Sequence, residues 1–309
     1  MTARLFKRIP YGNSDFRDII LQGYAYIDKT RFIEDLERED NRNHFFIRPR
    51  KFGKSTFLTM LRNYYNINSK DEFEQIFGNL YIGKHPTPER NSFAIMEFDF
   101  SGLNTSSEEK FAKDFSHAVQ SAVCKFLRAY DHIIPEAKSL LRQIEKKDPG
   151  VNAMTDAFNS VIKKKIKIYL IIDEYDHFAN DLIAMGTLAG KDFYKTMVSA
   201  NGMVRDFYER IKTATKDSVV YRTFITGISP VMLDDLTSGY NIAEILTLNP
   251  RYNEMLGFTH AEVNTLMAET GVDPALINVD MEAYYNGYKF HPEGENRVYN
   301  PSMILYFFG

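Results

Sequence analysis

The sequence has no tryptophan and a single cysteine, Cys124. One thiol excludes an intrachain disulfide, and seven scattered histidines show no zinc-ligand spacing. Net charge is nearly absent. Thirty-eight Lys and Arg against 41 Asp and Glu leave −3, which excludes a bulk attraction to nucleic acid. No run approaches the ~18 apolar residues of a membrane-crossing helix. The opening residues, MTARLFKRIPYGNSDF, lack the apolar stretch of a secretory leader. A soluble cytoplasmic protein without a membrane partner is expected. Aromatics are abundant instead: 24 Phe and 19 Tyr fit a well-filled core edged by tyrosines. The 309 residues suffice for one large domain or two modest ones.

Short apolar runs alternate with amphipathic stretches. HFFIR (44–48), SFAIMEFDF (92–100), IKIYLIIDEYD (166–176), VVYRTFITGIS (219–229) and EILTL (244–248) read as five strands. Between them lie a helix from Gly53 onward, and a long one opened by a Ser106–Glu109 capping box, with Phe111, Phe115, Val119, Ala122, Phe126 and Tyr130 on one face. Two more follow, the first ended by Pro149-Gly150, and another spans 191–214. Such alternation implies a mostly parallel sheet flanked by helices. After NPRYNEMLG the alternation stops, and Thr259 with Glu262 forms a second capping box. A core over 1–250 and a small helical or winged-helix-like lid over 251–309 are expected.

HFFIRPRKFGKSTFLTML (44–61) carries the first chemical signal. Gly53, Lys54 and Ser55 end a phosphate-loop pattern whose first position, usually Gly, is Arg48. The tripeptide follows a strand and opens a helix, as a phosphate cradle requires. Arg48, Pro49, Arg50, Lys51, Phe52, Gly53 and Thr56 would line the cradle, with the backbone N–H groups of all but Pro49 available to the phosphates. Lys54 would bridge the β and γ oxygens, and Ser55 would offer its hydroxyl to Mg²⁺. YLIIDEYD is the second signal: Asp173 closes an apolar strand as a metal-holding carboxylate, and Glu174 is placed to activate a water. Thr226, then Ser229, is the expected polar contact to the γ-phosphate from the neighbouring strand. A Glu directly after the Asp fits ATPases that insert a strand between the loop strand and the Asp-Glu strand. With YRTFITG as the insert, the sheet order becomes 5-1-4-3-2.

These stretches, together with RIPYGNSDFRDIILQGYAYIDKTRFIEDL, FEQIFGNLYIG, YNEMLGFTHAEV and YYNGYKF…VYNPSMILYFF, resemble the AAA-ATPase-like proteins of bacteria and archaea, within the AAA/STAND-type P-loop group. The resemblance covers nearly the whole chain. It implies that Arg-Pro-Arg-basic-Phe-Gly-Lys-Ser is the family's own loop. It also implies that Tyr26 or Ile27 walls the adenine, and that a C-terminal nuclease domain of the PD-(D/E)XK type often follows. The sequence stops after VYNPSMILYFFG, so the ATPase part alone is expected.

Mg²⁺-dependent ATP hydrolysis, acting as a switch or motor for an attached or partner effector, with a nuclease as its candidate, is the leading expectation. Nucleic acid then enters only indirectly, through that effector. A nucleotide-binding scaffold with little or no hydrolysis is the alternative. A small-molecule kinase would need an arginine-rich lid, and the region after 250 has only Arg251 and Arg297. Of these Arg297 is the candidate for γ-phosphate contact, set against a plain surface charge. In an oligomer, Arg205, Arg210 and Arg222 are unranked candidates for an arginine finger. Blander readings fit four other features. The basic run Lys163, Lys164, Lys165 and Lys167 reads as a solvated helix end. Arg50 reads equally as a partner for a nearby acid, His177 as exposed, and Asp176 as a helix N-cap.

Overall fold

The computed structural model describes residues 6–146, 150–162, 164–199, 202–232, 240–277, 280–285 and 287–309; Pro149 and Lys163 lie outside them. The chain forms two compact units. One, the sheet unit, comprises Asn41–Ile47 and Ser92–Glu244. The other, the loop unit, comprises Met1–Asp40, Arg48–Asn91 and Ile245–Gly309.

Five strands build the sheet: β1 (Asn43–Ile47), β2 (Ala94–Asp99), β3 (Ile168–Asp173), β4 (Val220–Gly227) and β5 (Glu244–Ile245). Their order is β2-β3-β4-β1-β5, the expected 5-1-4-3-2 read from the other edge. The β2–β3, β3–β4 and β4–β1 pairs are all parallel. Parallel pairing sets strand ends level, with Asp99 opposite Asp173, and Ile47 opposite Gly227. All five residues of β1 are buried, as are the first five of β3. Strands buried on both sides favour apolar residues, and Phe45–Ile47 and Ile168–Ile172 accordingly read as continuous runs. At the edge, β2 exposes Glu97 and Asp99.

Phenylalanine fills the core of the sheet unit. Phe100 stacks on Phe115 at 5.1 Å, Phe98 meets Phe207 edge-on at 5.0 Å, and Phe111 lies 4.9 Å from Phe178. Phe111 and Phe115 come from the helix Glu108–Ala129, whose six expected apolar positions are all buried. Its N-cap is Ser107, which accepts from Lys110 N; the expected Ser106 instead takes a turn, its N–H donating to Asn104 Oδ1. The single helix expected over 191–214 is two, Leu188–Val198 and Met203–Lys216. Ser199 leaves helical geometry and Gly202 N donates to its carbonyl, so the chain turns there. The fifth strand ends at Ile245, because Asn249 N donates back to Leu246 O and folds the chain away.

In the loop unit, Tyr64 of the helix Lys54–Tyr65 packs against Phe73 and Phe77, with the Tyr64–Phe77 rings edge-on at 5.4 Å and Phe77 in turn against Phe16. The helix His260–Thr270 begins with the expected capping box, Thr259 accepting from Glu262 N and Glu262 accepting from Thr259 N. Glu262 does a second job. Its two oxygens accept from the buried Lys29 ammonium at 2.7 Å each, and Lys29 also donates to Glu254 O. Burial pulls the Lys29 pKa down, and the Glu262 carboxylate opposes that fall. Lys29→Met should therefore lower unfolding free energy by about 2 kcal/mol, the partly exposed Glu262 being left to rehydrate. Urea denaturation checks this; a change under about 0.5 kcal/mol, the level of an ordinary surface substitution, would remove the pair from the stabilising contacts.

Candidate functional site

The candidate residues fall in two groups, those of the loop that follows β1, in the loop unit, and those at the ends of β3 and β4, in the sheet unit. β1 ends at Ile47, and the chain passes directly into Arg48-Pro49-Arg50-Lys51-Phe52-Gly53 before the helix starts at Lys54. Gly53 takes φ +86°, and Lys51 takes φ +66° without being glycine. Two left-handed residues in three turn the backbone sharply between strand and helix, the kind of curl from which anion nests are built. Gly53 is also the N-cap of the helix and has no side chain to cap the first-turn N–H groups.

Lys54 is buried, and its ammonium donates to Arg48 O and Pro49 O at 3.0 Å each. Ser55 is exposed and Thr56 half-buried in the first turn, while Phe52 is buried edge-on against Tyr288 (4.7 Å) and Phe290 (5.5 Å). Arg48 points away from the nest. It is 1% exposed, donates to Thr247 O and Tyr252 O at 2.9 Å, and lies 3.8 Å over the Phe290 ring. Burial pushes its pKa down to about 9, which still leaves it charged at neutral pH. Arg50 is exposed, and its carbonyl accepts from Asn300 Nδ2 at 3.2 Å. Lys51 O accepts from both Ser302 N (3.4 Å) and Ser302 Oγ (3.1 Å).

In the sheet unit, Asp173 ends β3 half-buried, and its Oδ1 accepts from Glu174 N at 2.9 Å. Glu174 stands at φ +51°, a left-handed backbone that costs a non-glycine residue about 1 kcal/mol. Its neighbours hold it there. Tyr175 N donates to Thr226 O, and Tyr175 OH donates to Ser229 O. Asp176 is fully buried, and its carboxylate accepts from Ile228 N, Ser229 N (2.6 Å) and Asn180 Nδ2 (2.8 Å). Although Asp176 occupies the N-cap position of the helix His177–Ala184, its side chain makes no capping bond there. The backbone amides beyond β4 attract the carboxylate instead. Gly227 leaves room for this clamp: a Cβ there would lie 2.3 Å from Asp176 Oδ1 and 2.5 Å from Tyr175 Cδ1.

Thr226 is buried and donates its hydroxyl to Phe46 O at 2.7 Å, tying β4 to β1; Ser229 Oγ donates to Asn180 Oδ1. His177 is not simply exposed. Its Nδ1 lies 3.4 Å from Glu174 Oε2 and its Nε2 lies 3.6 Å from Asp181 Oδ2. Tyr26 donates to Met60 Sδ at 3.6 Å, and Ile27 belongs to an apolar cluster with Val263, Leu266, Met267, Tyr299 and Ile304. Arg205 and Arg210 pair with Glu209 and Asp206 one turn away, and Arg222 is buried in β4. Arg297 is exposed and donates to Gly287 O at 3.3 Å.

Sequence reasoning missed the clamp formed by Asp176 and the roles of Asn300 and Ser302. Asn300 had a readable signal, an Asn directly before a Pro that opens a helix. Asp176 had none, because its donors lie on the segment following β4, more than fifty residues later.

Among the described residues, no group of three or more His, Cys, Asp and Glu side chains converges to hold a metal ion, and no helix is long and apolar enough to cross a membrane. The oxygens of Ser55 and Asp173 are nonetheless the kind that Mg²⁺ takes, one or two from the protein and the rest from phosphates and water.

The Asp176 clamp predicts that Asp176→Ala lowers stability by about 3 kcal/mol, since two buried N–H groups and an amide lose their acceptor. Denaturant titration of the purified variant checks this, and a loss below about 1 kcal/mol would show the amides satisfied some other way.

Comparison with known proteins places the chain in context. The sequence model of a family described as "Predicted AAA-ATPase" matches residues 10–237. A protein of Azotobacter chroococcum mcd 1, described as "Uncharacterized protein in vnfD 5'region", is 24% identical over 318 aligned residues, covering 98% of this chain and 52% of that protein. The chain thus spans about half the length of this curated relative.

Proposed function

The chain belongs to the predicted AAA-ATPase family, and from that premise we propose that it binds ATP at the Arg48–Ser55 loop and hydrolyses it with Mg²⁺. The observation that carries this reading is the loop itself. A Gly-Lys-Ser tripeptide opens a helix directly after a parallel, fully buried strand, with left-handed turns at Lys51 and Gly53. In this reading the amides of residues 50–55 bind phosphate oxygens, and the Lys54 ammonium exchanges its carbonyl partners for the β and γ oxygens. Ser55 and Asp173 are the oxygen donors for Mg²⁺, which when bound neutralises charge on the β and γ oxygens. Glu174 takes the proton of the attacking water, and Thr226 and Ser229 stand on the neighbouring strand's tail as contacts to the transferred phosphoryl group.

The activity serves, we infer, as a switch or motor for an effector, attached or separate, with a nuclease as the leading candidate. Residues 251–309 form the small lid in this reading. Arg297 is its candidate phosphate contact. The alternative, a scaffold that binds nucleotide with little hydrolysis, differs in one measurable respect, the contribution of Glu174.

Lys54→Ala should weaken ATP binding at least tenfold, because a charge-assisted contact contributes about 1.5–3 kcal/mol. Calorimetric titration giving equal affinity in both proteins would sink the assignment of the loop.

Glu174→Gln should keep ATP affinity within about twofold and abolish most turnover, since an amide cannot accept the water's proton. Phosphate release measured for both proteins decides between the two readings. Equal rates would remove Glu174 as base, and no release from the wild type would favour the scaffold.

A further inference from the structure

The phosphate loop does not hold its own shape. Lys51 sits in a left-handed conformation that L side chains rarely adopt. Its helix, Lys54–Tyr65, begins three residues further on and its strand ends four residues earlier, so neither ladder supports Lys51. What does support it comes from 250 residues away in sequence, within the same compact unit. Ser302, at the start of the helix Pro301–Phe308, donates both its backbone N–H and its hydroxyl to Lys51 O. Asn300 caps the same helix, Oδ1 accepting from Ser302 N and Met303 N, while Nδ2 donates to Arg50 O.

A carbonyl that accepts from outside must turn outward, and in consecutive peptide units this turns the amides that follow toward the concavity. Two successive carbonyls, of Arg50 and Lys51, are held this way. Arg48 anchors the loop's beginning through Thr247 O and Tyr252 O, and Phe52 anchors its end between Tyr288 and Phe290. Close contact is part of this anchoring. Gly257 approaches so near that a Cβ there would lie 2.8 Å from Val298 and 3.2 Å from the Phe52 ring.

We propose that Asn300 and Ser302 are positioning residues for the nucleotide site. By pulling the carbonyls of Arg50 and Lys51 outward, they set the loop amides for phosphate before any ligand arrives. The inference rests on the reading of the loop as an ATP site. It goes beyond that reading by making the 300–302 turn an adjustable part of the site. Any partner that draws this helix away would lower nucleotide affinity without touching the Gly-Lys-Ser tripeptide.

The test uses the full chain and four proteins: wild type, Ser302→Ala, Ser302→Thr and Thr259→Ala. The last breaks a helix cap in the same unit, where the Thr259 hydroxyl accepts from Glu262 N. Two readouts are taken, ATP affinity by calorimetry and hydrogen exchange of the amides of residues 50–53 without nucleotide. Ser302→Ala should bind ATP about fivefold more weakly, the effect of one hydrogen bond of ordinary strength, and its loop amides should exchange faster. Ser302→Thr keeps the hydroxyl and should return to within about twofold of wild type. Thr259→Ala should lower the melting temperature yet leave affinity and loop exchange unchanged. If Thr259→Ala weakens ATP as much as Ser302→Ala, the effect is general loosening and the proposal falls. Equal affinity and equal exchange in wild type and Ser302→Ala overturn it too, with the loop reading intact. A wild type that binds no ATP overturns the loop reading itself, and the proposal with it.

Discussion

Parallel pairing of β1, β4 and β3 is the constraint on which the rest depends. In parallel strands every C-terminal end lies at one edge, so the chain must leave the sheet three times side by side. The three exits are the phosphate loop after Ile47, the acidic turn after Asp173 and the turn after Gly227. The interior strands are buried on both faces, and polar side chains within them are tied to neighbours, as Thr223 is by accepting from Tyr240 OH. Candidate chemistry therefore falls at their ends. The positions between β1 and β4 are further pinned by Thr226, whose hydroxyl bonds the backbone of Phe46.

Each exit needs help to keep its shape. The acidic turn carries Glu174 in a left-handed conformation, and the Asp176 carboxylate holds the chain next to it. A carboxylate suits this place better than a hydroxyl or an amide. It has several acceptor sites and no donor, and here three N–H groups point at it. The same carboxylate excludes a side chain at residue 227, since even a methyl group would collide with it. The phosphate loop has a similar need and meets it differently, through Asn300 and Ser302 from the far end of the chain.

This difference explains what the sequence reveals. Buried parallel strands write themselves as apolar runs, so β1, β3 and β4 were legible from residues such as Phe45, Leu170 and Phe224, while the sheet order followed from the Glu after Asp173. The tripeptide Gly53-Lys54-Ser55 was legible because its chemistry is local. Ends were less so. Ser106 and Ser107 are both good caps with acids in the right places, and only the backbone turn at Asn104 decides between them. The break at Ser199 sits within a helical pattern and carries no proline. Asp176 read as a cap, because a cap needs only its own helix, whereas its true partners come from the tail of β4. Long-range hydrogen bonds leave no periodic trace in the chain.

The loop's first residue shows how far a pattern can depart from its usual form without strain. Glycine is demanded by a positive φ or by close approach of another group. Arg48 is not among the left-handed residues of the described chain; those in the loop are Lys51 and Gly53. Position 48 is therefore open to any side chain that finds room. Arginine finds it on the side away from the nest, where two carbonyls accept its N–H groups and the Phe290 ring covers its face. A buried guanidinium is costly unless its donors find acceptors, and here two carbonyl oxygens serve without adding a negative charge to the loop. The substitution that looks like damage in the pattern thus ties the loop to the C-terminal segment, and its chemistry suits an anion site.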